Sequence, residues 1–142
     1  MAGEPYVLDT SAILTLIENE EGAELVEQIL RQEEIFLPWL VLLEATYISR
    51  QERDEAVAVQ RYALIKQLPA QILWEADEPV LLTAARLKAE NRLSLADSII
   101  AAFAIQKKAT LLHKDPEYEA LQGQVSMKAL PYKLSPIESR MR

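Results

Sequence analysis

The sequence predicts a single α/β domain, a three-layer sandwich whose mainly parallel sheet of four to five strands is covered by helices on both faces. Two observations carry this. Short apolar runs recur along the chain, near-continuous rather than alternating, as in strands buried on both faces. Between them lie longer stretches with apolar residues at three- and four-residue steps, the spacing of helices. Strand and helix in alternation give βαβ units and parallel pairing. With 142 residues, three glycines and no low-complexity linker, residues 1–142 read as one domain able to bury a core.

Taken in order, Tyr6-Val7-Leu8 is the first strand, and helical spacing follows over Ser11 to Glu18 and Ala23 to Leu30. Ile35-Phe36-Leu37 before Pro38 reads as the second strand, and Leu40 to Arg50 as a helix. Asp54 to Leu68 is another, with Val57, Arg61, Leu64, Ile65 and Leu68 at helical steps. These two helices are an insertion beyond minimal strand–helix alternation. Ile72-Leu73-Trp74 is a short strand, Pro79 to Ala89 and Leu95 to Lys107 are helices, and Thr110-Leu111-Leu112 is a strand. Pro116 to Leu121 forms a helical turn, and Val125 to Ala129 holds a fifth strand. The segment 131–142, with two prolines and three basic residues, is expected to be a loose or partner-bound tail.

Composition narrows the chemistry. Without cysteine there is no disulfide, thiolate metal site or thiol nucleophile, which suits a reducing cytosol. The opening MAGEPYVLDTSAIL lacks a basic n-region, and no apolar run approaches the roughly 20 residues of a membrane span, so a soluble cytoplasmic protein is expected. The formal net charge of -7 speaks against broad nucleic-acid binding. That charge is unevenly spread. Residues 1–30 hold seven acids and no Lys or Arg, and the rest carries 15 of each sign.

Four carboxylates stand out. In open α/β sheets ligands bind beyond the carboxyl ends of strands, and Asp9 closes the first strand, where it could equally cap the next helix. Glu44, in WLVLLEATYIS, shares its helix face with Leu40, Val41, Tyr47 and Ile48. A carboxylate there must be paired with a distant Arg, protonated or bound to metal, since burying it alone is costly. Asp97 lies three residues after Ser94, a capping-box pattern, yet shares a face with Ile100, Ala101 and Ala104. Asp115 ends a strand and precedes Pro116, as an N-cap residue does. A parallel sheet can bring two strand-end acids and two helix acids to one edge. Oxygen ligands without His or Cys suit Mg²⁺ or Mn²⁺.

VLDTSAIL, LVLLEATYISR, LSLADSIIAAFA and ATLLHKDPEYEAL together resemble the four signature segments of PIN domains, in particular VapC toxins of toxin–antitoxin pairs. The resemblance runs from Tyr6 to about Ala129. It implies an endoribonuclease dependent on Mg²⁺ or Mn²⁺, leaving 5′-phosphate and 3′-hydroxyl ends, with Asp9, Glu44, Asp97 and Asp115 as catalytic metal-binding acids. Thr10 and Ser11 would meet the substrate, Ser11 positioning phosphate or a metal-bound water. A homodimer and a small antitoxin are the implied partners, with RNA as substrate. Leu14, Leu16, Ile17, Leu25, Ile29 and Leu30, and Val57, Val59, Tyr62, Leu64 and Ile65, are the apolar positions expected to carry those contacts. The chain departs from the family at His113, where Thr or Ser is common, and Glu117 and Glu119 stand ready to replace or support Asp115.

Other readings compete. A non-toxin PIN nuclease acting in RNA processing or on DNA shares every feature above. A receiver-type phosphoacceptor domain wants paired acids closing the first strand, and Asp9 stands alone. A PIN-like scaffold without activity has no need of all four acids.

Overall fold

The computed structural model describes residues 3–134. Strand β1 (Pro5–Leu8) leads into helices α1 (Thr10–Ile17) and α2 (Ala23–Gln32), then β2 (Glu34–Pro38). Helices α3 (Trp39–Glu52) and α4 (Glu55–Lys66) precede β3 (Gln71–Leu73). Helices α5 (Glu78–Glu90) and α6 (Leu95–Gln106) precede β4 (Thr110–His113). A 3-10 turn over Pro116–Leu121 and β5 (Met127–Ala129) complete the described chain. The elements expected from the pattern are all present, and all five strands are parallel, in the order β3-β2-β1-β4-β5.

The strands are buried without alternation. Val7 and Leu8, Ile35 to Leu37, and Leu111 to His113 are each consecutive buried residues, as a sheet covered on both faces requires. From β1 the chain builds outward through β2 and β3 on one side, then returns to place β4 and β5 on the other. The order therefore reverses between β1 and β4. A crevice forms at the carboxyl ends of strands where their order reverses, and this is where ligands enter open α/β sheets. The register sets Leu8 beside Leu112, and the Asp9 N–H donates to the Leu112 carbonyl at 3.0 Å. Residues just beyond these two strands are thus neighbours in space.

Two expectations need correction. The third strand ends at Leu73 rather than Trp74, because its pairing stops at Pro38, and Trp74 is left exposed. On α4, Val59 and Leu64 face outward, as expected of positions that carry partner contacts, but Ile65 joins Ala58 and Arg61 in the inward stripe. In the first helical stretch Ile29 and Leu30 are buried, and Leu14, Leu16, Ile17 and Leu25 pack partly against the same core. That stretch is partly covered within the monomer, so less of its apolar surface is free than expected. Of the tail, Pro131 to Leu134 form no helix or strand, but Lys133 pairs with Glu20 at 2.8 Å. Residues 135–142 lie outside the described chain.

Candidate functional site

Asp9 stands at the end of β1 and caps α1, its Oδ2 accepting from the Ser11 N–H at 3.0 Å and from the Ser11 hydroxyl at 2.5 Å. The capping reading is correct, and it does not exhaust the residue. Asp9 is only 3 % exposed, and its second oxygen, Oδ1, accepts from the Tyr118 hydroxyl at 2.6 Å.

Asp97 follows the same logic. Ser94 caps α6 by accepting from the Asp97 N–H at 3.1 Å, half of a capping box. The Asp97 carboxylate does not complete the box. It turns inward, and the Tyr118 hydroxyl lies 3.0 Å from its Oδ1. Burial, and then the charge of Asp9, push the Asp97 carboxyl up to about 7.

Glu44 is half-buried on α3, and among the described residues no arginine pairs with it. Its partner is the Thr10 hydroxyl, which donates to Oε1 at 2.7 Å. Burial raises the Glu44 carboxyl above the usual range; the Thr10 bond opposes the shift, and the charges of Asp9 and Asp115 add to it. Asp115 begins the 3-10 turn, with Oδ1 accepting from the Glu117 N–H at 3.0 Å. Asp97, Asp115 and Glu117 each offer a carboxylate oxygen, and these oxygens all lie within 4.8 Å of one another.

The fold therefore draws the four acids together at the switch point between β1 and β4, but not symmetrically. Asp97 is the hub: it meets Asp9 through Tyr118 and faces Asp115 and Glu117 directly. Glu44 lies at the far side, joined through Thr10. Among the described residues no ion pair includes Asp9, Glu44, Asp97 or Asp115. The donor set, hard carboxylate oxygens crowded together without a cationic side chain, fits a divalent metal of the Mg²⁺ or Mn²⁺ kind.

The hydroxyls expected at the substrate are spent on the acids. Thr10 serves Glu44, while Ser11 donates to Asp9 and accepts from the Lys114 N–H at 2.8 Å, tying α1 to the end of β4. The Lys114 ammonium turns away to the Glu21 carbonyl and to Glu20. His113 is 2 % exposed, and its Nδ1 accepts from the Asp115 N–H at 3.1 Å, which places the ring proton on Nε2. Burial lowers its pKa against the opposing charges of Asp9 and Asp115, and its bond to the Asp115 N–H helps shape that turn. Tyr118 is the functional candidate that sequence reasoning missed. An aromatic three residues after a strand-end acid reads as core, and only the folded chain shows where its hydroxyl goes.

A family profile described as the PIN domain matches residues 6–124. The chain belongs to the PIN domain family. Several solved structures share its fold. VapBC2 from Rickettsia felis, bound to a DNA fragment from its promoter, aligns with a TM-score of 0.73 at 15% identity, over 89% of this chain and 99% of that one. VapBC-1 from nontypeable Haemophilus influenzae gives 0.68 at 20% identity, over 88% and 97%. Mycobacterium tuberculosis VapC20, described as a sarcin-ricin loop cleaving toxin, gives 0.68 at 13% identity, over 89% and 99%. Among curated proteins, none matches by sequence. This PIN domain thus shares the fold of VapC structures across nearly its whole described length, and among the described residues no helix is long and apolar enough to cross a membrane.

Proposed function

We propose that this PIN domain is a Mg²⁺- or Mn²⁺-dependent endoribonuclease, the toxin of a VapBC-type pair acting in the cytoplasm. One observation carries the reading. Two carboxylates, Asp9 and Asp97, are buried side by side at the switch point, and among the described residues only hydroxyl and amide donors reach them. Like charges held together in a buried pocket repel, and a fold retains such an arrangement where a cation completes it.

Asp9, Asp97, Asp115 and Glu117 would hold the metal, with Glu44 as ligand or orienter of water. A bound divalent ion lowers the pKa of a coordinated water and neutralises charge on a scissile phosphate. The chain's own groups do the placing. Ser11 fixes one edge of Asp9, Thr10 aims Glu44, and the backbone N–H of Glu117 fixes Asp115. The half-exposed acids, Glu44 and Asp115, open the pocket to an RNA strand, while Asp9 and Asp97 form its floor.

The relatives support the partner reading. Structural neighbours include VapBC assemblies and a toxin described as cleaving the sarcin-ricin loop. The exposed apolar surface lies on α3 and α4 and beside β3, where Leu43, Tyr47, Val59, Leu64 and Trp74 face outward. A cleft of about 360 Å³ opens there between Trp39, Leu42, Leu43, Tyr62 and Trp74. A second apolar face, with Leu81, Leu82 and Leu95, lies on α5 and α6. Two such faces suit an antitoxin and a second copy of the chain.

The test is cleavage of RNA by purified protein with Mg²⁺ or Mn²⁺. Activity should vanish with chelator, with Asp9→Asn and with Asp97→Asn, while single-stranded DNA is spared. Cleavage that persists in chelator would end the metal reading. For the partners, sedimentation should show a dimer at micromolar concentration, and the product of a neighbouring reading frame should copurify on coexpression.

A further inference from the structure

Tyr118 is fully buried, with its ring 5.0 Å from that of His113. Its hydroxyl lies 2.6 Å from Asp9 Oδ1 and 3.0 Å from Asp97 Oδ1. A tyrosine hydroxyl has one proton to give. Two carboxylate oxygens share it, Asp9 Oδ1 at the shorter distance, so neither is compensated as fully as a cation would compensate it. Asp9 has other donors in the Ser11 N–H and hydroxyl. Asp97 does not: among the described residues its carboxylate has no hydrogen-bond partner besides Tyr118. No cationic side chain among the described residues pairs with either acid.

We propose that Tyr118 is a positioning residue whose hydroxyl holds Asp9 and Asp97 together in the metal-free site, occupying the bridging role of a cation and yielding Asp97 when the ion binds. This rests on the metal-centre reading above. The consequence is asymmetric. Without metal, the hydroxyl steadies both acids. With metal held by Asp97, Asp115 and Glu117, Asp97 is compensated by the ion, and Tyr118 keeps only its bond to Asp9. Removing the hydroxyl therefore costs the metal-free state more than the loaded one. Tyr118 tunes metal affinity downward while it keeps the empty pocket folded, which is the reverse of an outer partner that strengthens a site.

The experiment is calorimetric titration of Mn²⁺ into the full chain and into Tyr118→Phe, with thermal melts of both in chelator. Tyr118→Phe should bind Mn²⁺ roughly tenfold tighter, the worth of one hydrogen bond to a charged group. It should also melt lower in chelator by roughly 3–6 °C. Unchanged affinity would make Tyr118 a packing residue, and weaker affinity an ordinary outer partner; either overturns the proposal. A wild-type chain that binds no Mn²⁺ would sink the metal-centre reading and this proposal with it, whereas wild-type binding with the wrong Tyr118→Phe response sinks the proposal alone. If Tyr118→Phe does not fold, Asp97→Asn decides. Its amide can donate to the Tyr118 oxygen, so its metal-free melting temperature should rise, and a fall would refute the bridging role.

Discussion

Two clusters of buried charge among the described residues, one around Arg61 and one at the switch point, are resolved in opposite ways. Arg61 on α4 is largely buried, and its guanidinium donates at 3.1 Å both to Glu18, just past α1, and to the hydroxyl of Ser49 on α3. Positive meets negative, and the one neutral partner, fully buried Ser49, is satisfied by the same group. Nothing further is needed there. At the switch point the buried groups are Asp9 and Asp97, equal in sign and held by hydroxyls. The Arg61 cluster closes on itself and pins three helices, while the carboxylate pair is left short of positive charge. A cluster closed in charge is architecture; one left open points to what it binds.

The sharpest way to break this contrast is Asp97→Asn. Cleavage should fall by more than the roughly 10- to 100-fold that loss of an outer partner costs, while the metal-free fold loses nothing. An assay of RNA cleavage beside a thermal melt checks both halves. A mutant that is active, or unfolded, would erase the distinction between the two clusters.

Arg61→Met should show the converse, with stability lost and metal affinity kept. Ser49 would be left with an unpartnered buried hydroxyl, but Glu18 is partly solvated. The cost is therefore about 1–3 kcal/mol rather than the roughly 3–5 of a fully buried pair. Denaturant unfolding measures it, and calorimetry should find Mn²⁺ binding unchanged.

The pH response sharpens the comparison further. The Asp97 carboxyl is raised from 3.8 to about 7 in the folded chain, so the folded state holds a proton that the unfolded chain has released. The contribution of Asp97 to the stability of the metal-free protein is then fully present below about 4 and is lost as pH rises through about 7. A tenfold difference in proton affinity between folded and unfolded chain is worth about 1.4 kcal/mol, so melts at pH 5 and pH 8 should differ measurably. Saturating Mn²⁺ should remove the difference, because the ion binds the deprotonated acid. Asp97→Asn should flatten the profile without metal.

The smallest effect is expected at Thr10→Val, which keeps the shape and removes the one donor that aims Glu44. Glu44 is half-buried and lies outside the group formed by Asp97, Asp115 and Glu117, so a loss of roughly tenfold or less in cleavage is expected, the low end for an outer partner. A loss as deep as that of Asp97→Asn would place Glu44 at the hub instead.

Much of the fold was legible because its signals are local. Val7-Leu8 and Leu111-Leu112 are buried on both faces, so they appear as unbroken apolar runs, and Asp54, Asp77 and Ser94 sit at their helix starts as caps. The four acids were legible for a related reason. Each stands at a strand end or interrupts an apolar helix face, where a charge has no structural excuse beyond a cap. The boundary of β3 was not legible, because Trp74 is apolar yet lies past the last pairing partner, Pro38.

The sequence by itself determined the parallel sheet, the helices that cover it, and the carboxylates that collect at one edge, since each follows from periodicity or from the cost of burying charge. Only the tertiary structure decided how those acids are joined. Tyr118 reaches back across 109 positions to Asp9 and 21 to Asp97, and Thr10 reaches 34 forward to Glu44. Such bonds depend on where strand order reverses and on which face of each helix turns inward. A side-chain hydroxyl carries no periodic signature, so its partner is fixed only once distant segments are packed together.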